Sequence, residues 1–269
     1  MAQRVSLITG GASGLAVQTA LKLADQGHHV VINYRKSFEA AKFLQKKVEE
    51  KGVRCVLIQG NVACKEDCQR MVTETIDLFG RLDILINNAG PYIFERKKLT
   101  AYSDTEWELM INGNLSAVFY LCREAIPHMR KEKWGRIINF GFSHAHEAIG
   151  WKYRAAFAAA KVGLVSLTKS LAMEEAEHGI TVNMVCPGDI IGEHKEWTIE
   201  EARNERTFNL APVGRPGSGE DIGRVIAFLV DDDSDFITGS IIDVNGGLNV
   251  QAKQLTQNKQ RDYGKGELE

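Results

Sequence analysis

The chain has 269 residues, 44% hydrophobic and 25% charged, with a formal net charge of −2; that size and balance suit one large α/β domain with a real core. A pI near 6.4 gives no electrostatic case for binding nucleic acid or an anionic membrane surface. No apolar run is expected to approach the ~18–20 residues that span a bilayer. Met1–Arg4 leads straight into an apolar strand, so no signal peptide is expected. The five cysteines, Cys55, Cys64, Cys68, Cys122 and Cys186, are odd in number and contain no CxxC pair. They read as reduced thiols of a cytoplasmic protein, and Cys64 with Cys68 makes a poor metal site, so no metal is expected.

In chain order, an apolar strand from Val5 ends in Thr9, and glycines follow at 10, 11 and 14. Leu15, Ala16, Ala20, Leu23 and Ala24 then fall on one face of a helix. A strand, a glycine turn and a helix N-terminus together aim backbone N–H groups at an anion, and glycine lets a pyrophosphate approach the main chain. Gly10, Gly11, Ser13, Gly14 and Leu15 are therefore expected to line a dinucleotide site. Val30–Ile32 is the second strand, and residues 38–51 are helical. Val53–Ile58 is the third strand and Glu66–Phe79 the helix after it. Asp83–Ile86 is strand four. A long helix is expected over Asp104–Met129, strand five over Arg136–Phe140, and a further helix over Arg154–His178. Thr181–Val185 is strand six, Asp221–Val230 helical, and Ile241–Val244 the last strand. Continuous apolar strands between amphipathic helices predict an α/β, doubly wound parallel sheet of about seven strands, with helices on both faces. Right-handed crossovers put all strand C-termini on one edge, where ligands bind. Residues 1–249 read as one domain, and 250–269 as a polar C-terminal tail.

Several motifs then resemble the short-chain dehydrogenase/reductase family. Thr9-Gly10-Gly11-Ala12-Ser13-Gly14-Leu15-Ala16 is similar to its cofactor turn, with Ala16 where a further glycine is usual. Asn87-Asn88-Ala89-Gly90 after strand four resembles the segment beside the adenosine half of the cofactor. Asn61-Val62 stands where the family contacts adenine, and Asn114 at its asparagine in the middle helix. Pro187-Gly188 follows strand six, with Ile190 beside it. Pro212–Pro216, Glu220–Ile222 and Thr238–Gly247 resemble the C-terminal signature of bacterial 3-oxoacyl-(acyl-carrier-protein) reductases. The resemblance covers residues 4–249 and implies a single-domain Rossmann-type fold. It makes Gly10, Gly11, Ser13, Gly14, Leu15, Asn61, Val62, Asn88, Ala89, Gly90, Lys161, Pro187, Gly188 and Ile190 cofactor contacts. It also implies a homotetramer, or a homodimer, built from the Asp104–Met129 and Arg154–His178 helices and the last strand.

The end of strand two, Asn33-Tyr34-Arg35-Lys36-Ser37, has no carboxylate to accept from a ribose 2′-hydroxyl. Arg35 and Lys36 instead suit a 2′-phosphate, so NADPH is preferred over NADH. The family's chemistry uses a Tyr four residues before a Lys, and a Ser from strand five. Here Lys161 matches, but Phe157 stands at the Tyr position and Phe142 at the Ser position, with Ser143 one residue later. Ser143 would point to the other face of a regular strand and serves only if the strand end is bulged. Tyr153, eight residues before Lys161, reaches a substrate only if the helix starts late and residues 150–154 fold back. His144 and His146 are the other candidate acids. The catalytic set expected is Lys161, Asn114, Tyr153 and Ser143. The expected reaction is NADPH-dependent reduction of a small-molecule or acyl-thioester carbonyl. An enoyl-thioester reductase and a non-catalytic NADPH-binding protein are the alternatives. The segment Ile191–Leu210 is expected to be the substrate lid.

Overall fold

The protein is described by a computed structural model covering residues 3–205 and 211–248. Its strands are β1 (Val5–Ile8), β2 (His29–Tyr34), β3 (Cys55–Gln59), β4 (Ile84–Asn87), β5 (Gly135–Phe140), β6 (Ile180–Pro187) and β7 (Ile241–Val244). They form one seven-stranded sheet in the order β3-β2-β1-β4-β5-β6-β7, with each neighbouring pair parallel. The helices are α1 (Leu15–Asp25), α2 (Phe38–Glu49), α3 (Lys65–Phe79), α4 (Asp104–Ile111), α5 (Ala117–Glu132), α6 (Ala155–Glu175), α7 (Ile199–Asn204) and α8 (Gly219–Leu229).

Alternate residues of each strand feed two separate cores. Leu7, Val31, Leu85, Ile137 and Val182 pack under α3, α5 and α6. Ile8, Ile32, Ile86, Ile138 and Val185 pack under α1, α2 and α8. Burial on both faces is why the strands read as unbroken apolar runs and not as alternating ones. The strand order reverses between β1 and β4, which opens a crevice at their C-terminal ends. Asn88 Nδ2 closes the floor of that crevice by donating to the Thr9 and Gly10 carbonyls at 2.9 and 3.2 Å. The Ala89 N–H donates to Thr9 Oγ1 at 3.0 Å.

Four expectations need correction. The long helix over Asp104–Met129 is interrupted by a widened π-helical turn, Asn112–Ser116, which separates α4 from α5. Asn114 accounts for the break, because its Nδ2 donates to the Met110 carbonyl at 3.0 Å and to the Pro91 carbonyl at 2.9 Å. Helix α6 begins at Ala155, after Tyr153 has turned the chain through a left-handed conformation with φ of 68°. Helix α7 is an element the sequence reading left inside the lid; Thr198 and Glu201 form a capping box at its start. Finally, Ala155–His178 is long and apolar enough to cross a membrane by composition, with mean hydropathy 1.3 over an 18-residue window. It is the central core helix, with Lys161, Leu164, Thr168, Ala172 and Glu175 buried along one side. Phe208 and Leu210 of the expected lid, and the 250–269 tail, lie outside the described residues.

A buried polar chain fixes α6 to the sheet. Asn87 Nδ2 donates to Asn139 Oδ1 at 2.9 Å, Asn139 Nδ2 donates to Thr168 Oγ1 at 2.9 Å, and Thr168 donates to the Leu164 carbonyl at 2.7 Å. Removing the middle amide strands a donor on one side and an acceptor on the other, each worth about 1–3 kcal/mol when buried. Asn139→Leu is expected to lower unfolding free energy by about 2–4 kcal/mol, read from urea denaturation followed by circular dichroism.

Candidate active site

The glycine turn between β1 and α1 is built for close approach to the main chain. Gly10 and Gly14 have φ of 58° and 70°, a region that side chains with a Cβ avoid. A Cβ at Gly11 would lie 3.0 Å from the Ile8 carbonyl oxygen and 3.1 Å from Ile32 Cγ2. Buried Asn33 pins the turn: its Oδ1 accepts from the Gly10 N–H at 3.0 Å, while its Nδ2 donates to the Ile58 and Gly60 carbonyls at 3.2 and 3.0 Å. Helix α1 carries no acidic residue in its first turn. The Gly14 N–H instead donates to the Glu196 carboxylate at 2.8 Å. An anion thus sits where the helix N-terminus attracts one, so the turn's chemistry fits a pyrophosphate.

Two cavities meet at this turn, sharing Ser13, Asn88 and Gly90. The first, of about 410 Å³, is lined by Gly10, Ser13, Arg35, Lys36, Asn61, Val62, Asn88, Ala89 and Gly90 among the predicted residues. No carboxylate lines it among the described residues, and Arg35, Lys36 and Ser37 stand at its mouth with exposed side chains. The second, of about 710 Å³, gathers Ser13, Gly14, Leu15, Asn88, Gly90, Asn114, Ser143, Lys161, Pro187, Gly188 and Ile190. Gly11 lines neither cavity and supports the turn from beneath.

Lys161 is the charged centre of the larger cavity. It is 4% exposed, and its Nζ donates to the Phe140 carbonyl at 2.7 Å. Burial pushes its pKa down to about 8, opposed only in part by the nearby Cys186 thiol. The ammonium has three donors and the described residues satisfy one of them, which leaves two for a ligand. Asn114 Oδ1 is likewise buried without a partner among the described residues. A Cβ at Gly90 would collide with that oxygen and lie 3.6 Å from Lys161 Nζ, so only glycine lets the three residues converge. A ligand with hydroxyl groups, such as the nicotinamide ribose, fits these unmet donors and the unmet acceptor.

Sheet geometry also resolves the position of Ser143. Strand β5 ends at Phe140, and the chain beyond it turns, with the Ala145 N–H on the Phe142 carbonyl at 2.9 Å. Phe142 and Ser143 consequently both line the cavity, and Ser143 Oγ accepts from Asn245 Nδ2 at 2.7 Å.

Other candidates fall outside. Tyr153 lines neither cavity; its ring lies under the Arg96 guanidinium at 4.7 Å and the Lys152 ammonium at 5.1 Å. Helix α6 starts at Ala155, after the left-handed turn at Tyr153, and this start leaves the phenol outside both cavities. His144 and His146 also line neither cavity. His144 Nδ1 pairs with Glu147 at 2.9 Å, and His146 Nδ1 lies 3.7 Å from Asp243.

Sequence reasoning missed three aromatic residues that do line the larger cavity, Tyr92, Phe94 and Trp151. Tyr92 packs edge-on to Phe157 with ring centroids 5.0 Å apart, and Trp151 lies 5.0 Å from Phe142 and 6.0 Å from Phe157. Trp151 Nε1 is buried without a partner among the described residues. The signal available for Tyr92 was its place two residues after Gly90, on the loop that leaves a central strand at the ligand edge.

This geometry has clear relatives. Residues 10–249 match a protein-family model described as Enoyl-(Acyl carrier protein) reductase. The "Putative oxidoreductase YtkK" of Bacillus subtilis is 52% identical over 94% of this chain and 99% of its own length. The 3-oxoacyl-(acyl-carrier-protein) reductase FabG of Staphylococcus aureus is 38% identical over 90% of this chain and 97% of its own. Among solved structures, the "putative 3-oxoacyl-reductase" from Bacillus thuringiensis superposes with a TM-score of 0.87 at 52% identity, covering 93% of this chain and 99% of that one. The chain belongs to the short-chain dehydrogenase/reductase family of oxidoreductases.

Proposed function

We propose that this protein is an NADPH-dependent reductase of an acyl-thioester carbonyl, of the 3-oxoacyl type. The observation that carries the reading is the continuity of the two cavities. One offers a basic mouth without carboxylates, and the other offers a buried, half-satisfied Lys161 beside an unsatisfied Asn114. The Staphylococcus aureus relative named for 3-oxoacyl reduction supports the substrate class.

In this reading Arg35 and Lys36 hold the 2′-phosphate, and Asn61, Val62 and Ala89 flank the adenine. Gly10, Ser13, Gly14 and Leu15 receive the pyrophosphate, which displaces the Glu196 carboxylate from the Gly14 N–H. Lys161 donates to the nicotinamide ribose, and Pro187, Gly188 and Ile190 border the ring. When bound, the reduced nicotinamide supplies the hydride. Ser143, fixed by Asn245, donates to the substrate carbonyl. Phe142, Trp151 and Phe157 exclude water from its faces. A second reading, enoyl-thioester reduction, is favoured by Phe157 four residues before Lys161 and by the description of the matching family model. Association through α5 and α6 is also proposed. These helices flank a groove of about 310 Å³ lined by Phe119, Ile126, Leu167 and Leu171, and they expose Phe119 and Met173.

NADPH oxidation followed in parallel with a 3-oxoacyl and an enoyl thioester should favour the 3-oxoacyl substrate; turnover of the enoyl compound alone selects the second reading. Arg35→Ala should weaken NADPH about 10–100-fold by fluorescence titration and leave NADH nearly unchanged, because one charge-assisted contact is worth ~1.5–3 kcal/mol. Sedimentation should give a tetramer that Phe119→Glu dissociates. The fourth expectation concerns pH. Below pH 8 Lys161 is protonated in both folded and unfolded chains, and the fold bears the buried charge. Between about 8 and its ordinary 10.5 the folded protein has released that proton while the unfolded chain still binds it, so stability rises with pH. In urea denaturation of the cofactor-free protein, wild type should gain up to about 3 kcal/mol relative to Lys161→Met across that window.

A further inference from the structure

We propose that Tyr92, held by Arg154, is the residue that delivers the proton to the reduced substrate; this rests on the reductase reading above. The position four residues before Lys161 carries a phenyl ring without a hydroxyl, so the acid must come from another element. Among the described residues lining the larger cavity, Tyr92 is the sole phenol. It enters from the loop after β4, on the wall facing α6, and its ring stands edge-on to Phe157 at an interplanar angle of 88°. A phenol is thus brought against the side chain that lacks one.

Its surroundings suit proton transfer. Arg154 Nε donates to Tyr92 Oη at 2.6 Å, so the phenol oxygen is the acceptor in that bond and its own proton is left for another acceptor. The guanidinium is itself fixed on three sides. Its Nη1 donates to the Glu95 carbonyl at 2.6 Å and to the Tyr153 carbonyl at 3.0 Å, and its Nη2 donates to the Phe94 carbonyl at 2.9 Å. A permanent cation therefore stays at the phenol oxygen while the O–H bond breaks, and offsets the negative charge left behind. The other candidates are weaker. Ser143 is an aliphatic alcohol, a far weaker acid than a phenol, and in the proposed arrangement it holds the substrate carbonyl. Lys161 is committed to Phe140 and to the ribose in the proposed arrangement. Trp151 offers an indole N–H that holds an oxygen but does not give up its proton.

The step balances as follows. Hydride from the reduced nicotinamide forms the new C–H bond at the carbonyl carbon, and the C=O π pair moves to oxygen. That oxygen takes the Tyr92 proton and becomes the alcohol. The O–H electron pair remains on Tyr92 Oη beside Arg154, and water restores the proton after product leaves. Tyr92 is the catalytic acid and Arg154 a positioning residue.

The test compares wild type, Tyr92→Phe, Tyr153→Phe and Arg154→Lys in the full chain, using whichever of a 3-oxoacyl thioester and a small ketone the wild type reduces faster. NADPH affinity is measured separately by fluorescence. Tyr92→Phe should lose 10²–10⁴-fold in kcat with KM and NADPH affinity within about threefold, and its residual rate should lack the alkaline fall that reports a donor losing its proton. Arg154→Lys should retain more activity than Tyr92→Phe and should shift the alkaline limb. Equal turnover in Tyr92→Phe and wild type overturns the assignment alone, as does a loss confined to Tyr153→Phe. A wild type that binds NADPH but reduces neither compound overturns the reductase reading and the assignment with it.

Discussion

The cleft depends on how closely two backbones approach each other, the loop leaving β4 and the widened turn between α4 and α5. A Cβ at Gly90 would strike the Asn114 amide, and one at Gly113 would strike the Pro91 ring. In each case the bare glycine backbone of one segment packs against a side chain of the other, so neither segment can shift without the other. Asn114 then bridges them with bonds to the Pro91 and Met110 carbonyls. The Met110 carbonyl lies just before the π-helical turn and accepts this side-chain amide. The cost of widening the helix is offset by a side-chain bond. Through this joint the position of Tyr92, two residues beyond Gly90, is tied to that of Lys161 on α6.

Much of the architecture was legible because its causes are local. Three glycines after an apolar strand and before an amphipathic helix admit few other structures, and strands buried on both faces declare a parallel sheet. Asn114 and Lys161 were legible from their motifs, and both line the larger cavity. The rest depended on contacts distant in sequence. Tyr92 has no periodic partner, and its hydrogen bond comes from Arg154, 62 residues away. Asn33 reads as an unremarkable strand residue until its amide is seen joining the glycine turn to the ends of β2 and β3. Tyr153 was set by helical spacing from Lys161, but the positive φ at that residue lies before the helix, where such spacing has no meaning. Imidazole chemistry and a place on the loop after β5 make His144 and His146 candidate acids in the sequence, but in the fold they face Glu147 and Asp243.

The electrostatic layout divides the trough by depth. At the exposed end, Arg35 and Lys36 keep long side chains in water, where charge costs little and selectivity comes from meeting a multiply charged group. At the buried end, the Lys161 ammonium is stripped of water with one carbonyl in exchange, which is unfavourable for the empty protein and favourable once hydroxyls complete its coordination. The same imbalance is present at Asn114 Oδ1 and Trp151 Nε1. Unmet polar groups that cluster in one cavity are a stability deficit that a ligand relieves, and this makes the site's affinity partly a property of the folded state's own strain.

Moving the acid from a helix to a loop changes what must be rigid. A phenol on α6 would be held by the helix and by the Asn139–Thr168 link to the sheet. A phenol at position 92 has no such scaffold, since residues 88–98 are neither helix nor strand. Arg154 supplies the missing rigidity. It caps α6 at one end and gathers the Phe94 and Glu95 carbonyls together with the Tyr92 hydroxyl at the other. One planar guanidinium thereby performs two tasks, since its fork geometry fixes the loop and its permanent charge faces the phenol oxygen. Lysine could provide the charge but not the fork, and a neutral amide could provide part of the fork but not the charge. The loop and the first turn of α6 therefore form one unit, and proton delivery from Tyr92 requires that unit to stay assembled.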